Sequence, residues 1–181
     1  MTDILQGEPL LRAVYDFYVA RRGGRPMPSR ADIDPIDMPR AALPYLVLLD
    51  VLDGGARFRW RLTGTEVVNR FGRDATGRFG EEVLSGEYLT FLTSLIRHVC
   101  TARVPVYSHA IFRWDDEART LNTSRLYLPL GDETGVTQIL GAHGFGTKTS
   151  LPRTPTTLLR DASHIDELVR QELPPDSPTG R

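Results

Sequence analysis

Four histidines, one cysteine and a short run of aspartates are the residues of this chain best suited to chemistry. His98, His109, His143 and His164 are scattered, with no HExxH pair and no Cys/His spacing of the kind a structural or catalytic zinc needs. His109 and His143 could approach each other across a sheet, but strand histidines are more often surface or hydrogen-bonded core residues. Asp32, Asp34 and Asp37 resemble a carboxylate cluster; Pro35 interrupts them and no Ca²⁺-loop pattern surrounds them, so they read as turn and cap residues. Gly141, Gly144 and Gly146 flank His143 in a glycine-rich run that closes a strand pattern and enters a proline-rich stretch. A phosphate loop would instead open a helix. No Ser, His and Asp order is supported by a GxSxG elbow. These patterns assign no catalytic residue and no metal site, and the chain reads as a non-enzyme. The remaining signal is aromatic. Trp60, Phe71, Tyr88, Phe91, Leu92, Tyr107 and Tyr127 are candidate lining for a small-molecule pocket, although such residues also fill ordinary cores.

The elements that must position these residues follow from periodicity. Leu10, Leu11, Val14, Tyr15 and Tyr18 recur at helical spacing behind Pro9, which predicts an amphipathic helix over 9–21, stopped by Gly23 and Gly24. Five prolines between 26 and 44 exclude a continuous helix or central strand there, and leave a wrapped connector with a short helical turn near 38–42. Residues 45–52 are almost continuously apolar, as in a buried strand. Residues 57–62 alternate, with Phe58, Trp60 and Leu62 on one face and arginines on the other. The link 53–56 contains Gly54 and Gly55 and makes the two an antiparallel hairpin. Thr65 is placed to cap a short helix ending at Gly72. A longer helix over 87–102 carries Tyr88, Phe91, Leu92, Leu95, Ile96 and Val99 on one broad face. Three strands follow at 105–114, 120–130 and 136–145, joined by turns at 115–118 and 131–135 into a meander. Ile165, Leu168, Val169 and Leu173 then predict a C-terminal helix headed by Ser163, with a disordered tail over 174–181.

Composition narrows the function classes. A chain of 181 residues suits one domain with extensions and is long enough to bury a core without disulfides. Cys100 is the single cysteine, so no intramolecular disulfide can form. A net charge of −1 argues against nucleic-acid binding, and Arg59, Arg61, Arg70, Arg73 and Arg78 read as a solvated face. No signal-peptide pattern opens the chain, and no apolar run reaches the ~18 residues a membrane span needs. A cytoplasmic location, without membrane contact, is the expectation.

Four segments carry a resemblance. RGGRPMPSRADIDP, LPYLVLLDVL and FRWRLTGTEVVNRFGRDATGR are the first three. Leu128, Pro129 and Leu130, with Ile139, Leu140 and Gly141, complete it. In these the chain resembles the single-domain PAS-like family of alphaproteobacteria. The resemblance implies an α+β PAS fold: a five-stranded antiparallel sheet, its first and last strands paired at the centre, helices on one face, and N- and C-terminal helices besides. It divides the chain into an N-terminal helix (1–23), a PAS-like domain (24–146), and a linker, helix and tail (147–181). It implies a bacterial sensory or regulatory module that binds a small ligand or a protein partner and signals without an attached effector domain. The alternatives are an enzyme on a related α+β pocket fold and a purely structural interaction module. Some PAS domains hold haem through a histidine on the long helix. His98 is on that helix but roughly 90° from the centre of its apolar stripe at about 100° per residue. The reactive-cysteine motif of flavin-binding relatives is absent, and Cys100 lies just outside the stripe. Haem and flavin are both disfavoured, and the ligand stays open. The resemblance also implies self-association, and Leu11, Val14, Tyr15 and Tyr18 are the expected homodimer face.

Overall fold

The computed structural model describes residues 4–113, 120–146, 162 and 164–173. Helix α1 (Pro9–Arg22) starts with proline in its first turn and ends at Gly23, whose φ of 59° few other residues would adopt. Three short 3₁₀ turns make up the proline-rich connector, at Arg30–Asp32, Pro35–Asp37 and Arg40–Tyr45. Strands β1 (Leu46–Leu52) and β2 (Arg57–Thr63) form the expected hairpin. Then come α2 (Thr65–Phe71), α3 (Gly80–Val83) and α4 (Gly86–Ala102). Gly64, rather than Thr65, holds the cap position of α2. The meander is β3 (Val106–Arg113), β4 (Thr120–Asp132) and β5 (Gly135–Phe145). The expected turn at 115–118, the linker at 147–161 and the tail at 174–181 lie outside the described residues.

The sheet has six strands in the order β2-β1-β5-β4-β3-β6, every described pairing antiparallel. The first and fifth strands pair inside the sheet, as the resemblance implies, although the added sixth strand leaves β5 and β4 as the two central strands. The sixth strand corrects the expected C-terminal helix. Residues His164–Glu172 form β6, zipped along the outer edge of β3. A register shift sets which of its residues face inward. His109 pairs with Val169 while Ala110 pairs with Glu167, so Leu168 is the extra residue of a β-bulge. Ile165 and Glu167 precede the bulge and face one side of the sheet. After it, Arg170 continues on that side although the odd-even alternation has changed. The side under the helices thus takes Ile165, Glu167 and Arg170, while Leu168 and Val169, two residues of the expected helical stripe, are exposed.

A second bulge sits in the first hairpin, where Leu48 pairs with Leu62 and Leu49 with Trp60. Phe58 and Trp60 are buried as the alternation requires, but Leu62 turns away and is half-exposed.

Both faces of the sheet are covered, which corrects the one-sided arrangement. On one face α2, α3 and α4 pack over Val47, Leu49, Phe58, Trp60, Tyr127 and Ile139. On the other, α1 and the connector pack over Leu46, Leu48, Leu126, Leu128, Leu140 and Ala142. All six apolar residues read on the α4 stripe are buried. Leu11, Val14, Tyr15 and Tyr18 are buried too, against the chain's own sheet, with the Tyr18 hydroxyl donating to the Pro129 carbonyl at 2.9 Å. They are therefore not available as a homodimer face.

Candidate functional site

Of the seven candidate pocket residues, the structure brings six together. Trp60, Phe71, Tyr88, Phe91, Leu92 and Tyr127 share the core beneath α2–α4. A chain of ring contacts runs from Trp60 edge-on to Phe71 at 6.3 Å, from Phe71 tilted against Tyr88 at 5.8 Å, and from Tyr88 edge-on to the neighbouring Phe112 at 4.9 Å. Tyr107 lies on the opposite face, with its hydroxyl 3.4 Å from Glu8 Oε1. The strand period puts it there, because Val106 and Phe112 occupy the helix-covered side of β3.

The residue that gives this core its chemistry is Arg125, 1% exposed and in the middle of β4. Its guanidinium carbon lies 4.7 Å from the Phe112 ring centroid, 5.3 Å from Phe91 and 6.0 Å from Tyr88. Nη1 donates to Thr123 Oγ1 at 2.6 Å and Nη2 reaches the Tyr88 hydroxyl at 3.5 Å. Nε is buried without a partner, and no carboxylate pairs with Arg125 among the described residues. A guanidinium stays charged at any physiological pH, and burying a lone cation costs several kcal/mol. Three ring faces recover part of that, at roughly 0.5–2 kcal/mol each.

His143 stands directly across the ladder from Arg125. It is 4% exposed, stacks on Phe145 at 6.0 Å and meets Tyr127 edge-on at 6.0 Å. Burial, and then the neighbouring Arg125 charge, pushes its pKa down to about 3, against a smaller opposing effect of a hydrogen bond with the Tyr45 backbone. It is neutral at pH 7, and its Nδ1 is buried without a partner. Burial also raises the Tyr88 and Tyr127 hydroxyls, opposed in both cases by the charge of Arg125. Both phenols stay protonated at pH 7, and the Tyr88 oxygen accepts from Arg125.

His143 additionally lines a cleft of about 460 Å³ beside the start of α1, with Glu8, Tyr45, His109, Asn122 and Ser124. A second cleft, of about 450 Å³, lies between Arg25–Ser29 and the β4–β5 turn. A third, of about 140 Å³, is apolar and lined by Ile33, Met38, Leu43, Leu46, Leu62 and Leu140. None of the three is lined by the six clustered aromatic-core residues.

A family model described as a PAS domain matches residues 7–143, well over half of the chain. The chain belongs to the PAS domain family. No curated protein matches it, and no solved structure matches it.

Within this PAS domain, His98 points off the flank of α4 and pairs with Glu172 of β6 at 3.0 Å. Cys100 packs at the margin of the core, where burial raises its thiol to about 11. At pH 7 it is protonated and a poor nucleophile. His109 and His143 are on opposite faces of the sheet, since His109 approaches Tyr107 and His143 approaches Tyr127. The three aspartates act locally: Asp32 accepts from Ser29, Asp34 caps Ile36, and Asp37 pairs with Arg21 at 2.7 Å. No group of three metal-ligating side chains occurs among the described residues, and no described helix is long and apolar enough to cross a membrane.

Arg125 is not among the residues singled out by sequence, and His143 enters there only as a possible partner of His109 and within the glycine-rich run. The signal was present for Arg125. Leu121, Thr123, Arg125 and Tyr127 alternate along one strand, so the face that buries Leu121 and Tyr127 must bury the arginine as well.

Proposed function

We propose that this PAS domain is a sensory or regulatory module, not an enzyme, whose input is a small molecule held between the sheet and α2–α4. The observation that supports it is the buried pair Arg125 and His143, two nitrogen side chains in an aromatic core with unpartnered nitrogens and, among the described residues, no carboxylate paired with Arg125. A core built for stability alone gains nothing from an uncompensated cation, and buried polar groups without partners are rare enough to mark function. The cover over this core supports the reading too. It includes two short helices, α2 of seven residues and α3 of four, around Gly72 and Gly77, both at positive φ. Such segments open at low cost and can carry a ligand-dependent shift to another protein.

Native mass spectrometry of the purified protein, together with thermal shifts against a chemically mixed library, tests this. A co-purifying mass or a stabilising compound supports ligand input. A bare mass and a flat library response would overturn it. The competing input is a protein partner, favoured by the apolar third cleft and its exposed Leu43 and Leu62. Self-association would also need a surface such as this, since the inner face of α1 is already occupied.

A further inference from the structure

Resting on the ligand-sensing reading, we infer that the ligand is a small organic carboxylate with a flat apolar body, its acid group taken by Arg125 and its body by Tyr88, Phe91 and Phe112. The charge argument comes first. Arg125 keeps its positive charge, and among the described residues its neighbours are the neutral Thr123 and Tyr88 hydroxyls, the neutral His143 and three rings. A bound carboxylate would supply the missing counter-charge in a low-dielectric site, where a charge-assisted hydrogen bond is strongest. The planar guanidinium fork fits carboxylate geometry, and its unpartnered Nε–H is one of the donors that the usual two-point pairing uses.

The size and shape of the anion follow from what surrounds it. Inorganic anions need several donors from many directions, whereas this site offers one cation amid aromatic walls. Phe91 and Phe112 meet at 89° and Phe112 and Tyr88 at 69°, so the guanidinium is bordered by rings set at steep angles to one another. An aryl or short alkyl body suits that lining. His143 adds a further element. It lies across the ladder from Arg125, on the same face of the sheet. Its unpartnered Nδ1 is placed to accept from a hydroxyl or amine on the same ligand.

The test compares matched acids and amides on the full chain. Phenylacetate and hexanoate are titrated against phenylacetamide and hexanamide at constant ionic strength, by thermal shift and calorimetry. The acids should stabilise and bind while the amides do not. Arg125→Met should weaken acid binding by about ten- to a hundredfold, the equivalent of one hydrogen bond to a charged group. Arg125→Lys, which keeps the charge and loses the fork, should fall between. The ligand-free Arg125→Met protein should melt no lower than the parent, because it loses a buried charge rather than a paired one. A lowered melting temperature with acid binding unchanged would assign Arg125 to packing and overturn the inference. Amides binding as well as acids would overturn the carboxylate while leaving ligand sensing intact. A response to neither, with a bare native mass, would remove both. If Arg125→Met does not fold, the acid–amide comparison on the parent protein decides.

Discussion

Arg125 and His143 face each other on neighbouring strands and meet burial in opposite ways. The arginine cannot lose its proton, so it stays charged and leans on ring faces. The histidine gives its proton up. Its folded pKa of about 3 lies below the unfolded value near 6.5, so the unfolded chain binds protons that the folded chain refuses. The stability this neutral form contributes is complete above pH ~6.5 and is lost as pH falls from there toward 3, with a slope of at most about 1.4 kcal/mol per pH unit. Urea midpoints at pH 7.5 and 5 should therefore fall for the parent and fall less for His143→Phe; parallel losses in the two proteins would show that His143 titrates normally. Trp60 makes a simpler prediction. It is 2% exposed and touches Phe58 and Phe71, so Trp60→Ala should cost about 3–5 kcal/mol in denaturant melts. A loss under about 1 kcal/mol would place the side chain at the surface.

At the scale of elements, two bulges and a glycine decide most of the departures from simple periodicity. The bulge at Leu168 lets β6 keep Glu167 and Arg170 on the helix-covered face, where Glu167 accepts from Ser108 at 2.8 Å and Arg170 donates to Ser94 at 3.0 Å. Because β6 pairs with β3, β3 is an interior strand and not an edge. Its amides from 107 to 112 should all exchange slowly in D₂O. Fast exchange at alternate positions would mean that one side of β3 is bare. Gly64 has a different task. It sits where the connector meets the β2–α2 junction, and its N–H donates to the Leu46 carbonyl at 2.7 Å. A Cβ at this position would collide with the backbone oxygens of Pro44 and Leu43. Gly64→Ala should cost about 1–3 kcal/mol through backbone displacement, read as a lower urea midpoint with an unchanged slope. An unaltered midpoint would show that the junction yields freely.

For the whole molecule, the sheet separates two cores of different character. The one under α2–α4 is aromatic and holds the buried nitrogen pair. The one under α1 and the connector is mostly aliphatic and closes over Leu126, Leu128 and Leu130. This makes α1 a structural layer. Leu11→Ala should cost about 2–5 kcal/mol, as for any fully buried leucine, and should leave the mass by light scattering unchanged. A change of oligomeric state without loss of stability would return α1 to the role of an interface.

Local patterns were enough to determine α1, the first hairpin, α4 and the meander, because each buries a regular stripe whose period is written in the residues themselves. The prolines of 26–44 and the stop at Gly72 were equally local. The family was readable as well, since its wording is spread along most of the matched span. What the chain could not show is which surface each stripe would meet. The face of α1 suits a second copy or its own sheet, and only the fold, by leaving Leu126, Leu128 and Leu140 in need of cover, chose the sheet. The helix expected from Ser163 gave way to a strand over His164–Glu172, because β3 had a free edge to satisfy, and the apolar Leu168 and Val169 of the expected stripe stay exposed. Tyr107 and Tyr127 parted for a related reason. Each lies on a strand buried on both sides, where apolar residues do not announce their face. Arg125 and His143 became a pair through the register of β4 against β5, a pairing between residues 18 positions apart that no local window contains.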